Sequence, residues 1–294
     1  LYHTDLWPEF KELLLPLSNN IKLYIGLCNT SPSLNDFDDF DHQLSFHDNY
    51  GADISSFLYQ IRDVKEDLFI KLHSKKSLWG FKYHINWRQM MLNDLISSLD
   101  ILKSNIKILL SNESNSVLCN KILLMDNREF HNSSKIHELC SLLNIDYSRV
   151  KNSKFVAGNM FMGKTSIYKK YLEPHIETID KLLYNEKGKV DDTFKGTYSH
   201  SMERIFGYII SYNNLKFCYP KHKIIKVINT EAPNKKYFNL IKMYNNYCYI
   251  LEDPNLYGYI SNMSEKSCVI TWYHLDEKSS ITYNLINKNT ICKR

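Results

Sequence analysis

The chain has 294 residues, 44% of them hydrophobic and 23% charged, a composition that suits one large globular domain or a main domain with a small appendage. Its formal charge of +5 is mild for this size and fits an anionic small ligand better than nucleic acid, which demands a concentrated basic face. No apolar run approaches the length of a membrane span.

In chain order, Leu1-Tyr2-His3 reads as the end of a strand, and Thr4 or Asp5 as the cap of a helix through Pro8, Phe10, Leu13 and Leu14. Residues 21–27 predict a second strand. A polar stretch, 29–42, follows and contains the acidic run 36–41. An amphipathic helix is predicted from residue 55 to 64. Leu68, Phe69, Ile70 and Leu72 then form an apolar run too short for a helix but long enough for a buried strand. A long helical region carries Trp87, Met90, Met91, Leu95, Ile96 and Leu99, and strand-like runs recur at 121–125 and 154–157. Strands alternating with helices predict an α/β layered fold with a mostly parallel sheet flanked by helices. After Pro220 the texture changes. Short β-rich runs at 224–228, 247–251, 257–260, 268–273 and 280–285, separated by turn residues, predict a small antiparallel module over 221–294 behind a main domain over 1–220.

Seven cysteines (Cys28, Cys119, Cys140, Cys218, Cys248, Cys268 and Cys292) are scattered without CxxC pairs. That argues against a disulfide framework or a zinc site and for a reducing, cytoplasmic setting. The first residue is Leu1 and no signal peptide is visible, so the expectation is a piece of a longer polypeptide.

Four stretches bear on chemistry. The strand ending at Leu72 runs into His73-Ser74-Lys75-Lys76-Ser77, cations and hydroxyls interleaved where open α/β sheets bind ligands, which suits a diphosphate. A solvated basic loop is the competing reading. Gly158-Asn159-Met160-Phe161-Met162-Gly163-Lys164-Thr165 matches the phosphate-binding pattern GxxxxGKT letter for letter. Three bulky apolar residues nevertheless fill the loop where main-chain amides should wrap a phosphate. The acidic run Asp36-Phe37-Asp38-Asp39-Phe40-Asp41 offers carboxylates one residue apart, a spacing able to chelate Mg or Mn beside a diphosphate. A solvated acidic loop is the favoured alternative there. Finally, Thr197 or Ser199 can cap a helix on which His200 and Glu203 share a face, and a carboxylate there suits a general base. A surface ion-pair cluster is its plainer reading.

Six segments occur in an order that resembles a known family. They are Leu1-Tyr2-His3-Thr4-Asp5-Leu6-Trp7, Asn49-Tyr50-Gly51-Ala52-Asp53-Ile54 with Phe57-Leu58, Lys71-Leu72-His73-Ser74-Lys75-Lys76-Ser77, Trp87-Arg88, Phe155-Val156-Ala157-Gly158-Asn159-Met160-Phe161, and Gly196-Thr197 with His200-Ser201-Met202-Glu203-Arg204-Ile205-Phe206-Gly207. The resemblance is to the rhamnan synthesis F family of polysaccharide glycosyltransferases, and it covers about residues 1–215.

That resemblance implies a GT-A-like fold and transfer of a deoxyhexose such as rhamnose from a UDP- or dTDP-linked donor to a glycan acceptor. It implies that His73, Ser74, Lys75 and Lys76 hold the diphosphate in place of the metal-binding Asp-x-Asp of most GT-A enzymes, so that a divalent cation is disfavoured. Asn49, Asp53, Tyr2 and His3 fall on the donor side, and Gly158, Asn159 and Met160 on the acceptor side. Glu203 leads as catalytic base, with His200 beside it and Asp191 and Asp192 as alternatives. Family members usually carry an acidic residue before the Gly-Thr of the last motif, where this chain has Lys195. A carbohydrate-binding or inactive scaffold, with the β module's Tyr247, Tyr249, Tyr257, Tyr259, Trp272 and Tyr273 stacking on sugars, is the rival expectation; a P-loop kinase is the third.

Overall fold

A computed structural model describes residues 3–29, 35–74, 87–127, 129–186, 196–220, 223–228, 241–244, 247–250, 257–263, 267–273 and 278–290. The chain divides into two units, Leu1–Lys76 with Leu95–Pro220, and Ser77–Asp94 with Lys221–Arg294. No helix among the described residues is long and apolar enough to cross a membrane.

The first unit mixes helices with small sheets. After a 3-10 turn at Thr4–Leu6 come α1 (Trp7–Leu14), β1 (Lys22–Cys28), β2 (Asp41–His47), α2 (Ile54–Asp63) and β3 (Leu68–Lys71). Helix α3 (Trp87–Ile96) crosses the division between the units, and α4 (Leu99–Leu110), β4 (Asn115–Leu118) and β5 (Leu124–Asp126) follow. The unit continues with α5 (Ser133–Leu142), α6 (Tyr147–Val150), β6 (Lys154–Val156), β7 (Phe161–Lys164), α7 (Thr165–Leu172), α8 (Ile176–Tyr184), α9 (Tyr198–Tyr212) and β8 (Lys216–Cys218).

Strands β1 and β2 pair in parallel, and β5 pairs antiparallel with β6. The four-stranded sheet runs β3-β7-β4-β8. Here the mostly parallel expectation needs correction: β7 lies between β3 and β4 antiparallel to both, and only β4 and β8 run parallel. The reversal comes from the segment that matched the phosphate-loop pattern. Phe161, Met162 and Gly163 are not loop but strand, all buried, and Gly163 lies opposite Phe69 in the register. The Lys164 ammonium donates to the Glu113 carbonyl at 2.9 Å. A strand cannot wrap a phosphate, so the kinase reading loses its motif.

The acidic run exposes all four of its aspartates, as the solvated-loop reading expects, while its two phenylalanines turn inward. Phe37 and Phe40 are buried against Trp7, with ring centroids 4.7 and 5.9 Å away. Lys11 reaches Asp36 at 2.6 Å and Asp39 at 2.7 Å. The phenylalanines anchor the run, and Lys11 engages one carboxylate of each closely spaced pair. Strand β2 begins at Asp41 and was not anticipated, because its polar residues alternate over only a few positions.

An aromatic core lies between α2, β3, β7, α7 and α9. Phe69 meets Phe57, Phe161 and Tyr168 at centroid distances of 5.5, 5.8 and 5.4 Å. Phe206 of α9 closes the cluster against Phe57 and Tyr168, at 5.4 and 5.8 Å. Edge-on packing of this kind adds about 0.5–1.5 kcal/mol per pair beyond the burial itself. The cluster is the rigid floor on which the candidate site rests.

The second unit contains β9 (Lys223–Ile228), β10 (Ile241–Tyr244), β11 (Tyr247–Ile250), β12 (Tyr257–Met263), β13 (Ser267–Tyr273) and β14 (Lys278–Thr290). They form a closed barrel, every pairing antiparallel, with β14 returning to β9. Closure removes the open edges a small sheet would otherwise expose. The register sets Tyr249 opposite Tyr257, Tyr257 opposite Tyr273 and Trp272 opposite Gly258.

Candidate functional site

The site is built around one turn. Between β6 and β7 the chain reverses at Gly158 and Asn159, which adopt φ of 82° and 56°. Such left-handed values are open to glycine and tolerated by asparagine, whose short polar side chain bonds locally. The Asn159 amide N–H closes the turn on the Val156 carbonyl at 3.1 Å.

Four side chains from distant segments hold this turn. Glu203 of α9 accepts the Gly158 N–H through Oε1 at 2.8 Å. His73, just past β3, bonds the Gly158 carbonyl through Nε2 at 2.8 Å; a carbonyl only accepts, so Nε2 carries the proton. Asp53, at the start of α2, accepts from Asn159 Nδ2 at 2.7 Å. Lys71, the last residue of β3, forms an ion pair with Asp53 and lies 3.4 Å from the Asn159 carbonyl. Because Nδ2 is committed to Asp53, the other side-chain atom of Asn159 is the oxygen. Oδ1 is buried without a hydrogen-bond partner among the described residues, an arrangement that costs about 1–3 kcal/mol.

The buried cation here is Lys71, not one of the lysines the sequence reading favoured. Its side chain is 2% exposed and its ammonium stands 5.2 Å from the Phe57 ring centroid. The signal was present: Phe69 and Lys71 alternate with Leu68 and Ile70 along β3, so they share the inward face. Ser74 is buried and accepts the His3 backbone N–H at 3.0 Å, which joins the first motif to the third. Lys75, Lys76, Tyr2, Asp191, Asp192 and Lys195 lie outside the described residues.

The Asn49-to-Asp53 motif is anchored from behind. Tyr50 donates to both carboxylate oxygens of Asp180 on α8 at 2.9 Å, and Tyr59 to one of them at 2.9 Å. Burial first, and the Asp180 carboxylate second, push the Tyr59 phenol up to about 12 and Tyr50 higher still. Both stay neutral donors. Asn49 is half-buried in the preceding loop.

Helix α9 starts under strong control. Thr197 accepts the His200 N–H at 3.0 Å, and the His200 ring returns to the Thr197 hydroxyl through Nδ1 at 2.7 Å. His200 therefore takes part in the helix cap. The Thr197 N–H is taken by Asn132 Oδ1 at 2.7 Å. Buried Glu186, which the sequence reading passed over, accepts the N–H groups of Tyr198 and Ser199, an anion at the positive end of a helix. Its own carbonyl accepts the Gly51 N–H at 3.2 Å. Buried Arg204 donates to the His200 carbonyl at 2.7 Å, lies over the Phe155 ring at 4.7 Å and stands 4.0 Å from Glu203 Oε2. Met160, expected on the acceptor side, is a buried residue of the turn's exit.

Chemically, the arrangement presents a positioned carboxylate, an imidazole and a buried ion pair around one turn beyond the carboxyl ends of β3 and β6. Among the described residues no three His, Cys, Asp or Glu side chains are grouped to hold a metal ion. Comparison with family models, with curated proteins and with solved structures gives no match.

Proposed function

We propose that this chain is a cytoplasmic, GT-A-like glycosyltransferase that moves a hexose, such as the deoxyhexose rhamnose, from a UDP- or dTDP-linked donor to a glycan acceptor. The observation that carries the reading is convergence. Five of the six segments that resemble the rhamnan synthesis F family contribute to one hydrogen-bonded assembly: His3, Asp53, Lys71 with His73 and Ser74, Gly158 with Asn159, and Glu203. In this reading Lys75 and Lys76, next in sequence after Ser74, serve the diphosphate, whose charge builds as the glycosidic bond breaks. Glu203 takes the acceptor hydroxyl's proton through the oxygen that does not bind Gly158.

One observation favours the rival, a carbohydrate-binding or inactive scaffold. Asp53, Lys71, His73 and Glu203 all spend contacts on the turn itself, as purely structural residues would. Calorimetry separates the readings. The transferase binds UDP or dTDP and loses that binding in Lys75→Ala. ATP binding that depends on Lys164, without UDP or dTDP binding, overturns it.

A further inference from the structure

Helix α9 and strand β6 run side by side, and the positions 203, 207 and 211 form a stripe of i, i+4 steps along their seam. At one end Glu203 meets Gly158; in the middle Gly207 lies against Lys154 and Phe155. At the other end, about 12 Å along the helix axis from Glu203, Ser211 lines an open groove of about 490 Å³ that no part of the transferase reading uses. We propose that this groove binds an anionic oligosaccharide, independently of the assembly around Gly158.

The groove's chemistry selects that class. Arg149, Lys154 and Lys216 line it, and Lys121 stands over the ring of Tyr219, itself a lining residue, at 5.8 Å. Two exposed carboxylates stand near these cations: Asp126, 3.4 Å from the Lys154 ammonium, and Asp146, which is held charged in part by Arg149. Arg149 is set in place by the Tyr212 ring at 4.7 Å, so its guanidinium is pre-ordered rather than trailing in solvent. Between the cations lie two half-buried aromatics, Phe217 and Tyr219, and the neutral polar residues Asn152, Ser153 and Ser211. Aromatic faces suit the C–H faces of sugar rings, hydroxyl and amide groups suit sugar hydroxyls, and the cations suit carboxylate or phosphate substituents. Three lining cations in a short groove are too few for the phosphate track of a nucleic acid, which needs a charged stripe and releases many counterions.

The test titrates the full chain with a uronic-acid tetrasaccharide, a neutral tetrasaccharide of the same length, inorganic phosphate and a single-stranded oligonucleotide. Lys154 and Lys216 are exposed, so Lys154→Glu with Lys216→Glu should leave the denaturation midpoint in place. The expected result is that the acidic tetrasaccharide binds more tightly than the other three probes and loses at least about tenfold in the double variant, while UDP or dTDP affinity is unchanged. The inference fails if the neutral sugar binds equally, if the oligonucleotide binds at least as tightly, if the acidic sugar does not bind, or if the double variant binds it as well as the original. A chain that binds the acidic sugar but no nucleotide keeps this inference and loses the transferase reading.

Discussion

His73 and Glu203 grip the same residue: His73 Nε2–H donates to the Gly158 carbonyl, and the Gly158 N–H donates to Glu203 Oε1, each at 2.8 Å. One peptide residue thus fixes the separation of the two groups most able to move a proton at this site. The contacts also make a clean separation of roles possible, because glutamine can still accept the Gly158 N–H. Glu203→Gln should unfold at nearly the same denaturant concentration as the original and bind donor nearly as well, while turnover falls by at least about a hundredfold. An active Glu203→Gln together with a dead Asp191→Asn or Asp192→Asn would move the base to the acidic pair ahead of α9.

The Asp53–Lys71 pair invites a double-mutant cycle. Lys71 is 2% exposed and Asp53 20%, so the two single variants should not cost the same. Asp53→Asn leaves a cation sealed in the core and should cost about 3–5 kcal/mol, the range for a broken buried pair. Lys71→Met leaves a carboxylate that still reaches water and the Asn159 amide, so its cost should fall below that of Asp53→Asn. The double variant should be less destabilised than the sum by about 1–3 kcal/mol. Strict additivity in urea denaturation would show that the pair is not coupled.

Much of the architecture was legible from periodicity. The apolar runs that became β1, β3 and β6 and the amphipathic stretch that became α2 were found within a residue or two of their limits. What failed did so for physical reasons. The Gly158-to-Thr165 segment reads equally as loop or strand, because Phe161-Met162-Gly163 is too short a run to show a period, and only pairing with β3 and β4 decides it. Lys71 was overlooked because a lysine at a strand end normally faces water, and its partner Asp53 lies eighteen positions back, on α2's threshold. Glu186 was invisible for the same reason, since its value lies in the distant helix it caps. Long-range polar contacts leave no local signature. The basic groove is also assembled from four separated segments, none of which is charged enough alone to attract notice.

Gly207 tests the seam between α9 and β6. In an exposed helix, replacing glycine by alanine stabilises by about 1 kcal/mol. Here an added Cβ would land on the Lys154 carbonyl oxygen and lie 2.9 Å from the Phe155 Cα, both backbone atoms that cannot swing aside. The sign should therefore reverse. Gly207→Ala is expected to destabilise by about 1–3 kcal/mol, seen as a lower urea midpoint with an unchanged slope. A raised midpoint would mean that the helix sits further from the strand than this packing requires.

The last prediction concerns pH and His47. Its ring stacks on Tyr59 with centroids 5.6 Å apart, and its Nε2 lies 2.8 Å from the Ser45 hydroxyl. Burial lowers its pKa below the ordinary histidine value of about 6.5, against a smaller upward pull from the Asp180 carboxylate. The native state thus resists a proton that the unfolded chain accepts. Below about pH 6.5 the unfolded state binds more protons, so stability is lost as pH falls toward the folded pKa and then levels off; above it the contribution is fully present. His47→Phe keeps a ring against Tyr59 and removes the titration. Urea midpoints at about pH 7.5 and pH 5.5 should therefore differ less in His47→Phe than in the original protein, since the other titrating groups are common to both. Equal differences in the two proteins would show that His47 is solvated in the native state, and the account of its burial beside Tyr59 would have to be abandoned.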